Sequence, residues 1–169
     1  ASELWRSILF QVEPSIAIVP KSLAIFLAKE FILQHAQTLG LKPSQAQSLV
    51  EAAIELAPIV FHPDGDERLE AWFEENPDRR LLWQLWFIRV KVFVNDLVTN
   101  KKIIINEWIP SYIMHFHDVS SLEVGPMIVD LAGSLSSAEM ELFNILVQKS
   151  EIILNVPTGR VWNRFSRLL

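Results

Sequence analysis

Leu81-Leu82-Trp83-Gln84-Leu85-Trp86-Phe87-Ile88, continued by Arg89-Val90-Lys91-Val92-Phe93-Val94, admits two secondary structures, and each implies a different class of protein. Arg80, Gln84, Lys91 and Asn95 fall on one stripe if the segment is helical, leaving a wide apolar surface. Ile88, Val90, Val92 and Val94 also alternate, as residues of a strand would. A helix running to about Val94 is expected. The alternative is a short β-hairpin within residues 88–117, with Ile103-Ile104-Ile105 as its second strand and Thr99-Asn100-Lys101-Lys102 as its turn.

Working outward, helical spacing dominates on both sides. Leu4, Trp5, Ile8, Leu9 and Val12 recur at helical intervals before Pro14. Pro20 to Leu39 reads as one long helix stopped by Gly40. Ser44 and Gln47 have capping-box spacing ahead of Ala46, Leu49, Val50, Ala53, Ile54 and Ala57, with Pro58 expected to interrupt the helix. Asp64 and Glu67 read as the cap of a short helix carrying Leu69, Trp72 and Phe73, and Asn76-Pro77-Asp78 as the start of the next. A short helix is expected from Pro126 to Ala132. Ser136 and Glu139 form a further capping box before Met140, Phe143 and Leu146. The sum is a mainly α, single-domain bundle of about six or seven helices over residues 1–169.

Composition narrows the function. Half of the 169 residues are hydrophobic and 21% are charged, which excludes general disorder. A net charge of −5 argues against nucleic acid as the main partner. The absence of cysteine removes thiolate catalysis and Cys-ligated metal, and fits a reducing, cytoplasmic compartment. No uncharged apolar run reaches the roughly 20 residues of a membrane span, and the first residues lack the pattern of a signal peptide.

Three features carry possible chemistry. The C-terminal segment places Val161, Trp162, Phe165, Leu168 and Leu169 on one helical face and Arg160, Arg164 and Arg167 on the other. Arg160, Trp162, Arg164, Phe165 and Arg167 are therefore the candidate partner-binding residues, because an apolar, Arg-rimmed face docks into a protein groove or rests on an anionic membrane. The bland alternative is that this face closes the chain's own core while its arginines pair with the acidic patch from Asp64 to Asp78.

Trp83 and Trp86, three residues apart on one helix side, are candidates to line a site for a small apolar ligand held non-covalently. Aromatics at this spacing more often fill a core.

His115, His117 and Asp118 could ligate one metal if extended, which would suit a hydrolase. Three or four ligands are needed, and the remaining histidines, His35 and His62, are distant in sequence. Asp64-Gly65-Asp66-Glu67 lacks the spread of an EF-hand and reads as a turn and cap. No nucleophile elbow or phosphate loop is present. The leading expectation is a non-enzymatic adaptor, assembly factor or regulatory subunit without a cofactor, with a protein partner or a second copy as its target.

Overall fold

A computed structural model of the chain describes residues 2–116, 119, 122, 124–130 and 135–155. Its described elements are, in order, α1 (Ser2–Val12), β1 (Ala17–Val19), α2 (Lys21–Gln34), α3 (Ala36–Leu39), α4 (Ala46–Val60), α5 (Gly65–Glu75), α6 (Arg80–Asn95), β2 (Ile103–Ile105), α7 (Ile109–Phe116), β3 (Met127–Asp130), α8 (Ser137–Val147) and β4 (Ile152–Asn155). The fold is mainly α. Among the described residues, no helix is long and apolar enough to cross a membrane.

The ambiguous segment is helical. α6 runs unbroken to Asn95 and ends in a π turn over Asp96–Asn100, so the hairpin alternative does not occur. Burial explains the outcome. Phe87, Val90, Phe93, Val94 and Leu97 follow a helical period and all face the core. Ile103–Ile105 does form a strand, but its partner is distant. β2 pairs in parallel with β1, Ala17 opposite Ile103 and Val19 opposite Ile105. Lys102 takes a left-handed conformation, φ 56°, where the chain turns into β2, and its carbonyl accepts from the amide of Ala17.

α4 is the central helix and packs against both α2 and α6. Its buried residues are Ala46, Leu49, Val50, Ala53, Leu56 and Ala57. Three of these six are alanines, whose small side chains let the flanking helices approach closely. Phe31 on α2 and Phe93 on α6 meet with ring centroids 5.3 Å apart. Phe61 and Phe93 each meet the fully buried ring of Trp108 edge-on. Buried apolar residues from Trp5 to Leu146 form one cluster.

Local details depart from expectation for identifiable reasons. The helix expected from Pro20 to Leu39 is two, broken at His35, whose backbone leaves the helical region (φ −118°, ψ 21°) while its amide and Nδ1–H both donate to the Phe31 carbonyl. Gly40 then stops α3 at φ 59°, as its sequence position suggests. α4 is not started by a Ser44–Gln47 box. A 3₁₀ turn over Pro43–Gln45 precedes it, and Gln45 Oε1 accepts from the Lys42 amide. Pro58 does not interrupt α4, which continues through it to Val60. Pro58 lies in the last turn and is exposed, so only one intrahelical bond is forgone, the one to Ile54.

Asp64 makes no side-chain cap on α5. Asn76 Nδ2 donates to the Trp72 carbonyl and ends α5. Asn76 also precedes the 3₁₀ turn Pro77–Arg79 that leads into α6, with Pro77 and Asp78 in its first turn as expected but no side-chain cap bond. Residues 127–130, read as part of a helix, form β3 and pair in parallel with β4, Met127 opposite Ile152 and Asp130 opposite Asn155. The Ser136–Glu139 box is present with both of its bonds.

Candidate interaction surface

The helix that buries Phe87, Val90 and Phe93 on one side leaves large aliphatic side chains on the other. Leu81 is 76% exposed, Leu85 46%, Ile88 54% and Val92 43%. Their spacing of four, three and four residues puts them on one narrow stripe of α6, each within side-chain reach of the next. Leu82, 60% exposed, widens the stripe near its start. Isolated exposed leucines need no explanation, but a continuous row is the pattern of a face that meets another surface.

Polar anchors fix this helix from both sides. Arg80 pairs with Glu70 and Lys91 with Asp66, 2.9 Å away, so both ends of α6 are tied to α5. These pairs are exposed and each contributes little. Arg89 donates from Nε to the Leu39 carbonyl, 2.9 Å, at the end of α3, and its guanidinium stacks 5.5 Å from the Trp86 ring. Between Arg79 and Asn95 the chain carries Arg79, Arg80, Arg89 and Lys91 and no acidic residue. Within α6 the exposed stripe is therefore flanked by basic and neutral groups only, while Asp66 and Glu70 of α5 pair with two of those basic groups.

The candidates read from the sequence fall in three places. Trp83 and Trp86 are half-buried and pack onto the core from α6, with Trp86 also covered by Arg89. The C-terminal set Arg160, Trp162, Arg164, Phe165 and Arg167 lies outside the described residues, as do His117 and Asp118.

His115 lies in α7 and meets His62, from the turn between α4 and α5, with ring centroids 4.7 Å apart and near edge-on. Sequence separation hid this convergence. Burial holds the His115 imidazole below its ordinary proton affinity; nearby His62 and Arg68 act in the same direction and Glu141 opposes them. The Asp64 amide donates to His62 Nδ1, 3.0 Å, which puts the neutral ring's proton on Nε2. A metal-bound histidine normally has the reverse arrangement, its free nitrogen donating to a neighbour. Among the described residues, no group of three or more potential ligands could hold a metal ion.

A cleft of about 270 Å³ lies between α1, α4, α7 and the start of α8, lined in part by Trp5, Ile54, Ser111 and Glu139. Its Glu139 carboxylate is already committed, accepting from Trp5 Nε1 at 2.8 Å and from the Ser136 amide at 2.8 Å. Among the described residues, no histidine or lysine lines this cleft to act as a base for Ser111.

The exposed row on α6 is the feature that sequence reading passed over. The spacing of Leu81, Leu85, Ile88 and Val92 was visible, but the same helix carries a second apolar face, and only packing shows which one the core takes. No family model, curated protein or solved structure matches this chain. The functional reading therefore rests on the surface itself.

Proposed function

We propose that the chain is a non-enzymatic interaction module that docks onto another protein surface through the exposed aliphatic row of α6. One observation carries the reading: four aliphatic side chains in coiled-coil spacing, each at least 43% exposed, on a helix whose opposite face is fully used by the core. Removing these groups from water is favourable at about 25 cal/mol per Å². The buried face of α6, with the Arg89 bond to the Leu39 carbonyl, holds the helix in place beforehand, so docking need not order it. Mixed burial of the tryptophans supports a structural role for them more than an apolar ligand site.

The test is affinity capture with the full chain as bait, comparing wild type with Leu85→Lys/Ile88→Lys and with Phe10→Lys. Phe10 is an exposed aromatic on α1, away from the row. Proteins held by wild type and by Phe10→Lys, but lost at least tenfold by the α6 variant with its helical spectrum unchanged, support the reading. Equal retention by all three baits contradicts it.

A further inference from the structure

We infer that the cleft between α1, α4, α7 and the start of α8 binds a small organic cation, a primary ammonium on a compact apolar body. Among the described residues, none from α6 lines this cleft, so the site stands or falls apart from the docking row.

A buried hydroxyl points to a ligand. α7 turns Ile109, Tyr112 and Ile113 into the core and carries Ser111 inside with them, 3% exposed. Among the described residues, Ser111 is the one non-aromatic polar side chain buried to this degree, and its hydroxyl has no hydrogen-bond partner. Leaving a buried hydroxyl unpaired is costly. Ser111 borders the cleft, where a bound molecule can complete it.

Charge selects the ligand. Glu107 and Glu139 line the same cleft, and among the described residues no cationic side chain does. Neither carboxylate belongs to an ion pair among those residues. The two oxygens of Glu139 each accept one bond, from Trp5 Nε1 and from the Ser136 amide, which fixes the carboxylate and leaves a lone pair on each oxygen. Arg6 is turned to Asn106 Oδ1 at the rim, 2.8 Å away.

An anion would meet two carboxylates. The N-terminus of α8 does not offset them, because the Ser136 and Glu139 amides are already bonded to each other's side chains. A neutral molecule would strip water from both carboxylates and return nothing. An ammonium group returns charge-assisted bonds and can also donate to Ser111 Oγ.

The walls set the rest of the molecule. Trp5, Ile54, Pro58, Pro110 and Ala138 are apolar, and the pinned indole and two prolines need little ordering on binding. The volume of about 270 Å³ lies just under the roughly 300 Å³ at which ligand pockets usually begin, which suits one small molecule.

The test titrates the full chain with phenethylammonium and, as its uncharged counterpart, phenethyl alcohol. The reporter is the Trp5 indole N–H resonance, assigned by its loss in Trp5→Phe. Phenethylammonium should move this resonance saturably and bind at least tenfold more tightly than the alcohol. Glu107→Gln, at an exposed side chain, and Ser111→Ala should each weaken binding at least fivefold with unchanged helical spectra. Ser111→Ala without probe should melt no lower than wild type, because the hydroxyl it removes is unpaired. No saturable shift at millimolar ammonium overturns the inference, as does equal binding of the alcohol or undiminished binding by both variants. A Ser111→Ala chain that melts several degrees lower would show that the hydroxyl serves the fold, and would also overturn it.

Discussion

The indole Nε1–H of Trp5 donates to Glu139 Oε1 at 2.8 Å, joining two residues 134 positions apart. The other carboxylate oxygen of Glu139 accepts from the Ser136 amide and completes the capping box of α8. One carboxylate thus starts the last described helix and ties it to the first. Trp5 is almost fully buried, so without Glu139 its N–H loses its protein partner at the wall of the cleft.

Glu139→Ala should cost about 2 kcal/mol of folding stability, because it removes two charge-assisted bonds and strands the Trp5 donor. Trp5→Phe should cost clearly less in the Glu139→Ala background than in wild type, since its hydrogen bond is already gone. Urea unfolding of the two single variants and the double variant measures this coupling. Strict additivity would show that the 2.8 Å contact carries no energy.

Stability should fall on mild acidification, and His115 should be one cause. Its folded-state proton affinity lies below the ordinary value, chiefly through burial. Above about pH 6.5 both folded and unfolded chains hold this ring neutral, and its contribution to stability is complete. As pH falls through that value the unfolded chain takes up the proton while the folded chain resists, so stability drops until the lower folded value is reached. His115→Phe should flatten the dependence of the urea midpoint between pH 7.5 and about 5.5 relative to wild type. An unchanged slope would exclude His115 as a source.

Gly65 should not tolerate alanine. A Cβ built there would lie 2.0 Å from the Ile59 carbonyl oxygen, and this contact is to backbone, which cannot rotate away. Gly65→Ala should therefore destabilise by about 3 kcal/mol or more and shift the α4–α5 corner. Because His62 sits in that corner, the His115 ring resonances should move with it. A Tm within a degree of wild type would contradict the close approach.

Where signals were local, the fold was legible in the sequence. The periodic Ala46, Leu49, Val50, Ala53 and Ala57 became the buried face of α4. Ser136 and Glu139 three apart became a capping box, and Gly40 a left-handed stop. What escaped depended on distant partners or small energies. The parallel pairing of Ala17–Val19 with Ile103–Ile105 leaves no mark in either segment. Met127–Asp130 is too short to show a period, and it is a strand only because Ile152–Asn155 lies beside it. Pro58 was read as a breaker, yet a proline in the last turn forgoes a single bond. α2 ends at His35, whose backbone leaves helical angles, a break that no spacing rule anticipates.

The surface was less legible than the core. High apolar content between Leu81 and Val94 indicated burial, but one helix cannot turn two apolar faces to one core. Phe87, Val90, Phe93 and Val94 took the inner side, where Phe93 meets Phe31 and Trp108. Leu81, Leu85, Ile88 and Val92 were left outside by that choice.

Hydroxyl-radical footprinting of the chain in native extract, against the purified chain at nanomolar concentration, tests the docking face most directly. Side-chain oxidation at Leu81, Leu85, Ile88 and Val92 should fall at least threefold in the extract while Phe10 reacts equally in both. Oxidation of the four at the same rate in extract as in the isolated chain would contradict the account.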